Sequence, residues 1–528
     1  MSEERDLVRA TGVMSVGTAL SRITGFLRLA AMAYALGITE TRLADAYSIA
    51  NITPNILYEL ALGGILTSVV VPVVVEWTQT HGREAAWDAV RRLLTLAALA
   101  LGGLAVVAIV AAPWIVDLYT VRVAGADREA VRQLATFFLR WFMPQILFYG
   151  VGAIATGLLN AHRRFAAPMF APILNNLVVI ATFGAFALMP GPAAGSGQLA
   201  TTAQELVLAI GTTLGVVTMT LALLPSVRDL GFRFEPRFGL DAAMRKIGAL
   251  AGWVFVYVLA NQAGYLVVLV LAAGTQGGYT AYASAFMLFQ LPHAIFAVSI
   301  FTALLPALSS RWSTGDVEGF RNLLARGLRA TGAIVLPAAL GYLVLSREIV
   351  RVLLEHGATG AASGDLVASV LAAFAIGLVP FSAFQLLLRA FYAVQDTRTP
   401  ALVNLVALAV NVGANLFLAV GLELGVRGLA YGHAASYLVG SALLYWMLRK
   451  KVGALPAGSV GPALGRSLVA AVVTAAAAWG VQHLTGGWFG SGFLGGTVSL
   501  VLAIGAGLAV FVGAAMLLDV DEVRAALG

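Results

Sequence analysis

Two arginines lie inside the first long apolar segment of the chain, in the sequence SRITGFLR that runs from Ser21 to Arg28. A charged side chain at the centre of a bilayer costs roughly 2.5–3.5 kcal/mol on insertion scales, so it usually faces a protein interior or a wet cavity. Guanidinium groups bind phosphate oxygens through paired hydrogen bonds. Ser21, Arg22 and Arg28 therefore predict a site that captures a phosphate-containing anion.

A structural alternative is that each arginine pairs with an acid and only holds helices together. Asp45 and Glu59, in the second apolar segment, are the available partners. Under the binding hypothesis, these two acids line the same site as the arginines. Arg389 is a further candidate for contact with substrate, although its place near the end of an apolar segment leaves a structural role equally open.

Three asparagines in apolar segments, Asn261, Asn411 and Asn415, are candidate oxygen ligands for a monovalent cation. Hydrogen bonding between helices is the alternative that we favour for them. His293 follows Pro292 in an apolar segment, and we expect it to be a hydrogen-bonded core residue rather than a proton relay.

The chemistry of an enzyme is missing from the sequence. It contains no GxxxxGK[ST] phosphate-binding loop and no HExxH motif. It also contains no cysteine, which excludes disulfides and Cys-ligated metals. We therefore predict a protein that is not an enzyme and has no ATPase activity of its own.

The elements that carry these residues are predicted to be membrane helices. The 528 residues are 60% hydrophobic and 11% charged, whereas soluble domains carry about 25% charged residues. Apolar blocks of about 20 residues span a bilayer as helices. We predict an all-α polytopic protein with about fourteen spans, over residues 11–36, 46–75, 93–118, 131–159, 167–189, 204–225, 247–273, 279–308, 325–346, 366–394, 400–421, 427–448, 463–484 and 493–518.

Lysine and arginine are concentrated in one alternate set of the connecting loops. Loops rich in these residues stay in the cytoplasm, so we predict cytoplasmic termini and a multi-pass protein of the bacterial inner membrane. The net charge of +7 is then a topology signal, and no nucleic-acid partner is needed to explain it.

The second and eighth segments resemble each other. One begins AYSIANITPN and the other AYASAFMLFQLP, and each ends at a proline, Pro72 or Pro306. Pro144 and Pro380 also lie near the middle of corresponding segments. We predict two duplicated six-helix lobes, residues 1–225 and 226–448, followed by two further helices in 449–528. Chance similarity between apolar segments is the alternative.

The stretches SRITGFLR, ADAYSIANITPNI, LLNAHRRFAAPMFAPILNN and FQLPHAIFAVSIFTALLPALS together resemble the MurJ/MviN lipid II flippases, in the multidrug/oligosaccharidyl-lipid/polysaccharide exporter superfamily. The resemblance implies two lobes around a cationic cavity and transfer of undecaprenyl-pyrophosphate-linked muropeptide to the outer leaflet for cell-wall synthesis. Its site residues would include Ser21, Arg22, Arg28 and Asp45. Lipid II, bilayer lipids and cell-wall synthesis proteins are the implied partners.

This chain departs from the family pattern at cationic positions. Where many members have Arg-Arg on the second helix it has Tyr58 and Glu59, and the arginine expected on the eighth helix is Ala285. These departures leave the exact lipid open. We expect alternating access assisted by the membrane potential, with Na+ or H+ as coupling ion. The alternatives are an exporter of another lipid-linked oligosaccharide or a drug, and a membrane scaffold for cell-wall enzymes.

Overall fold

The structure is a computed structural model, and it describes residues 2–60, 80, 82–125, 127–162, 164–193, 198–239, 258–259, 261–489 and 492–527. Within these ranges every regular element is a helix, which confirms the predicted all-α class. The chain divides into two compact units. The first comprises Met1–Tyr279 with Gly357–Thr359, and the second comprises Thr280–His356 with Gly360–Gly528.

The helices of the first unit are α1 (Ser2–Leu36), α2 (Leu43–Tyr58), α3 (Arg83–Tyr119), α4 (Asp127–Phe142), α5 (Gln145–Ala161), α6 (Ala166–Ala187), α7 (Thr202–Leu221), α8 (Leu224–Arg228) and α9 (Asn261–Ala273). A π-helical turn at residues 59–60 continues α2.

The helices of the second unit are α10 (Gly278–Pro292, whose first two residues belong to the first unit), α11 (Val298–Ser313), α12 (Val317–Leu354), α13 (Ala361–Ile376), α14 (Leu378–Ala393), α15 (Arg398–Asn415), α16 (Gly425–Val452), α17 (Ala457–Thr485), α18 (Phe493–Leu517) and α19 (Asp521–Leu527). Two π-helical segments, His293–Ala297 and Leu416–Gly421, follow α10 and α15.

Many of these helices are long and apolar enough to cross a membrane. In the described part of the chain there are nine such spans, or ten if α13 and α14, which meet at a 48° bend, form one. The four remaining predicted spans coincide with α1, α2, α9 and α16, and two of them, 46–75 and 247–273, lie partly outside the described residues. The total of fourteen, like the predicted lobe boundaries, stays a prediction.

Pro144 and Pro380 lie at or next to helix breaks. Proline has no backbone N–H and therefore cannot donate the hydrogen bond that continues a helix. Pro144 separates α4 from α5, and the hydroxyl of Thr213 donates to the carbonyl of Trp141 at the break, at 2.9 Å. Pro380 lies in the first turn of α14, directly after the break at Gly377. A Cβ on Gly377 would lie 3.0 Å from the Cα of Ala434, so the break allows close backbone packing.

The two Ala-Tyr motifs occupy comparable places in their own units. Tyr47 is buried on α2, packs edge-on against Phe142 and Phe183, and shares a hydrogen bond with Thr212 at 2.9 Å. Tyr282 is buried on α10, with its ring 5.0 Å from that of Phe374. Each motif thus places its tyrosine in an aromatic core of its own unit, and the internal duplication stays a prediction.

His293 is a buried core residue in the π-helical segment after α10. Its Nδ1 lies 3.0 Å from the hydroxyl of Ser382, and its ring is 4.6 Å from that of Phe381. The prediction of a hydrogen-bonded core histidine is confirmed.

Candidate anion-binding site

The two arginines of α1 have no acidic partner among the residues that the structure describes. Arg22 is exposed and Arg28 is half-buried. Neither forms an ion pair or hydrogen bond with any residue that the structure describes. The structural alternative, in which Asp45 and Glu59 neutralise them, is not the arrangement found within that part of the chain.

An asparagine of α6 holds that helix against α1, close to the two arginines. The Nδ2 of Asn176, a buried residue of α6, donates to the hydroxyl of Thr24 at 3.0 Å and to the carbonyl of Ser21 at 3.3 Å. Gly17 allows the same two helices to meet closely, since a Cβ there would lie 2.7 Å from the Cβ of Met169. These contacts fix the direction in which Arg22 and Arg28 leave the helix.

Tyr149 lies beside Arg28 and connects it to an asparagine and a second tyrosine. The Arg28 charge interacts with the hydroxyl of Tyr149, which also shares a hydrogen bond with the side chain of Asn55. The Tyr149 ring is 5.7 Å from that of Tyr58. Hydroxyl and carboxamide donors next to a guanidinium suit an oxyanion, because they add neutral hydrogen bonds to one charged one.

Sequence reasoning missed Tyr149 and Asn55 as members of this group. The available signal was weak: Asn51 and Asn55 are four residues apart and therefore share one face of α2. Tyr149 carried no signal, since a single tyrosine in an apolar helix is ordinary.

Glu59 lies in the π-helical turn that follows α2, where its side chain is exposed. It forms no ion pair with a described residue. Its carboxylate interacts electrostatically with the neighbouring Tyr58 hydroxyl, which brings it into the same group of side chains. Its contact with substrate stays a prediction.

Asp45 has structural partners. Its carboxylate accepts a hydrogen bond from the backbone N–H of Gly277 at 2.8 Å and lies 3.6 Å from the guanidinium of Arg42. Arg42 in turn donates to the carbonyl of Ala273, the last residue of α9, at 3.2 Å. Asp45 therefore fixes the start of α2 to the end of α9, and a direct contact with substrate stays a prediction.

The remaining candidates are distributed over both units. Arg389 is exposed on α14 and forms no ion pair with a described residue. Asn415 is buried and donates to the side chain of Asn411 at 3.0 Å within α15, whereas Asn261 belongs to the first unit. This hydrogen bond lies within one helix, so hydrogen bonding between helices, the role that we favoured, stays a prediction. A cation site stays a prediction.

The described residues form membrane helices, and the first of these carries two guanidinium groups with no acidic partner among them, an arrangement typical of the substrate pathways of transporters. A sequence model of the MurJ family, described as lipid II flippase MurJ, matches residues 32–498. The chain therefore belongs to the MurJ family of lipid II flippases.

Individual relatives agree over most of their length. The lipid II flippase MurJ of Burkholderia cenocepacia is 29% identical over 454 residues, which is 84% of each chain. A probable lipid II flippase MurJ of Vibrio cholerae is 27% identical over 526 residues, covering 97% of this chain and 96% of its own.

Solved structures show the same fold. A lipid II flippase MurJ in an inward closed conformation matches with a TM-score of 0.76 at 20% identity, over 98% of this chain and 99% of its own. An inward-facing multidrug-resistance MATE transporter of the MOP superfamily matches with a TM-score of 0.66 at 15% identity, over 82% of this chain and 95% of its own.

Proposed function

We propose that this protein moves lipid II, the undecaprenyl-pyrophosphate-linked peptidoglycan precursor, from the cytoplasmic to the outer leaflet. Its membership of the MurJ family supports this substrate. The observation that carries the proposal is the pair Arg22 and Arg28, whose charges have no acidic partner among the described residues. Family membership favours lipid II over drug export or a scaffold role.

The pyrophosphate of the substrate binds to Arg22 and Arg28, while Tyr149 and Asn55 donate neutral hydrogen bonds to its oxygens. The polyprenyl chain stays in the bilayer, because moving its apolar surface into a wet cavity would be unfavourable. Asn176 keeps the guanidinium groups in place while the headgroup is bound.

Transport proceeds by alternating access, because the charged headgroup cannot cross the hydrocarbon layer unaided and needs a site that opens to each side in turn. With both termini in the cytoplasm and a potential negative inside, export of an anionic headgroup is assisted by about 2.3 kcal/mol per charge per 100 mV. A coupled Na+ or H+ resets the carrier, with Asn261, Asn411 and Asn415 as its candidate ligands. Lipid II, bilayer lipids and cell-wall synthesis proteins are its partners.

Depletion of the protein in its host tests the substrate. We expect lipid II to accumulate in the cytoplasmic leaflet and re-expression of the wild-type chain to reverse the accumulation. Unchanged distribution of lipid II, together with accumulation of a different lipid-linked oligosaccharide, would show that another precursor is the substrate.

A further inference from the structure

A polar cavity of about 230 Å³ lies in the second unit, between α12 and α17. Its polar lining consists of Glu348 and Arg351 on α12, and of Gln482 and His483 on α17, with the indole of Trp479 beside them. None of these residues belongs to the anion-binding group of the first unit.

The cavity lies near the ends of two membrane helices. Glu348 is within two turns of the end of α12 at Leu354, and His483 is in the last turn of α17, which ends at Thr485. Trp488, just beyond α17, is 74% exposed. Exposed tryptophans at helix ends are typical of the level of the lipid headgroups. A ligand bound in this cavity would therefore lie at the level of the lipid headgroups.

Glu348 and Arg351, the acid and the base of the cavity, have no charged partner in the part of the chain that the structure describes. Glu348 and Arg351 are three residues apart and so share a helix face, yet neither forms an ion pair or hydrogen bond with a described residue. The adjacent Arg347, by contrast, pairs with both Glu355 and Asp365. A half-buried carboxylate and guanidinium left in this way are suited to a ligand that carries both charges.

The neighbouring helices shape the cavity around these two groups. A Cβ on Gly496 of α18 would lie 3.4 Å from Nη2 of Arg351, at ordinary contact distance, so α18 closes one side of the space around the guanidinium. The Oε1 of Gln482 accepts a hydrogen bond from Ser499 of α18 at 3.3 Å. The rings of Trp479 and His483 stack, with centroids 5.4 Å apart and planes at 10°.

We propose that this cavity binds the headgroup of a phospholipid that joins a phosphodiester to a primary ammonium group, as in phosphatidylethanolamine. The phosphate pairs with Arg351, and His483 lies beside it. The ammonium donates to Glu348 and lies against the indole of Trp479, where cation–π attraction adds to the ion pair. The apolar side chains of Leu343 and Leu484, which are next in sequence to cavity residues and exposed, contact the acyl chains.

A primary ammonium distinguishes this ligand from its closest analogues. The quaternary ammonium of phosphatidylcholine has no N–H to donate to Glu348, and phosphatidylglycerol has no cation at all. Hydrogen bonds to charged groups are among the stronger ones in proteins, so the preference for the primary amine should be about tenfold or more. The proposal does not depend on the transported substrate.

Native mass spectrometry of the purified full-length protein, titrated with the three lipids on matched acyl chains, tests the proposal. We expect phosphatidylethanolamine to bind about tenfold more tightly than phosphatidylcholine. Glu348→Gln should abolish that preference, and Arg351→Gln should weaken binding of both lipids. The exposed residues Glu423 and Arg427 provide matched controls, E423Q and R427Q, which should bind like the wild type.

Gly496→Leu is a second variant that keeps every charge and places a bulky side chain beside Arg351, and it should also weaken lipid binding. Equal binding of phosphatidylethanolamine and phosphatidylcholine by the wild type would overturn the proposal, as would a preference for phosphatidylglycerol. Soluble phosphoethanolamine is the last arm of the test. If it competes at the same concentration as the lipid, the ligand is a soluble phosphate ester and the lipid assignment is wrong.

Discussion

The carboxamide of Asn176 donates to the hydroxyl of Thr24 at 3.0 Å, across 152 residues of sequence. Thr24 lies between Arg22 and Arg28 on α1, and its hydroxyl also donates to the carbonyl of Leu20 within the same helix at 2.9 Å. One polar contact between α1 and α6 therefore sets the rotation of the helix that carries both candidate binding groups.

Removal of either partner of this contact should lower the free energy of unfolding, and the effects of the two removals should not be additive. Interhelical hydrogen bonds in membrane proteins contribute about 0.6 kcal/mol on average. A double-mutant cycle of Asn176→Ala and Thr24→Val, measured by reversible unfolding, should give a coupling free energy of about that size. Thr497→Val is the control, because Thr497 also donates to a carbonyl four residues earlier but lies in the other unit, and its effect should be additive with that of Asn176→Ala. Additive effects for the first pair would contradict the proposed role of Asn176.

The buried pair of Arg42 and Asp45 predicts a larger change in stability. Arg42 is 8% exposed and Asp45 1% exposed, so Asp45→Ala leaves a cation buried without its partner. Breaking a buried pair costs about 3–5 kcal/mol, and the double variant Arg42→Ala with Asp45→Ala should recover part of that loss.

Unfolding of these variants can be compared with that of Glu129→Ala. Glu129 forms an exposed ion pair with Arg132, which should contribute at most about 1 kcal/mol. If Asp45→Ala is no more destabilising than Glu129→Ala, the connection between α2 and α9 has been overestimated.

Both the backbone conformation and the close surroundings of position 277 require glycine. Its φ is +68°, and a Cβ there would lie 2.3 Å from the carbonyl oxygen of Ile38. Gly277→Ala should therefore lower the melting temperature much more than Gly315→Ala. Gly315 has a similar φ of +74° but no atom within 4 Å of its Cβ position, so it reports the backbone strain alone, about 1–2 kcal/mol. Similar melting temperatures for the two variants would rule out the close approach to Ile38.

Asp396, in the loop between α14 and α15, predicts a dependence of stability on pH. Burial alone would raise the pKa of this carboxyl, but hydrogen bonds from the backbone and hydroxyl of Thr399 and from Lys451 outweigh it and lower the pKa below 3.8. A lowered pKa in the folded state adds stability above the unfolded value, and this stability is lost as the pH falls through the folded value.

Asp396→Asn should therefore melt at a lower temperature than the wild type at pH 7, and the difference should shrink as the pH falls below about 3.8. Glu423→Gln removes an exposed charge and should show no such convergence. A difference between Asp396→Asn and the wild type that stays constant down to pH 3 would mean that the carboxylate charge contributes nothing.

Hydrophobic block length was enough to predict most of the helices. Pro144 and Pro380 entered the sequence analysis only as matching positions of the two lobes, and the helix breaks at or near them were not predicted. The arginines of α1 were also predictable, because charge inside an apolar block is rare and costly. The contacts of Asn176 with Thr24, and of Tyr149 with Asn55, were not. They join helices far apart in sequence, and their residue types are common in membrane helices. Asp45 shows the same difficulty, since its partner Gly277 contributes only a backbone N–H.

Lipid II translocation by the Arg28→Ala variant is the most direct test of anion capture on α1. Arg128→Ala is the matched control, because Arg128 is exposed and has no side-chain partner among the described residues. At equal abundance in the membrane, Arg28→Ala should fail to replace the wild-type protein and leave lipid II in the cytoplasmic leaflet, whereas Arg128→Ala should replace it fully. Normal translocation by Arg28→Ala would contradict the binding of pyrophosphate by this guanidinium.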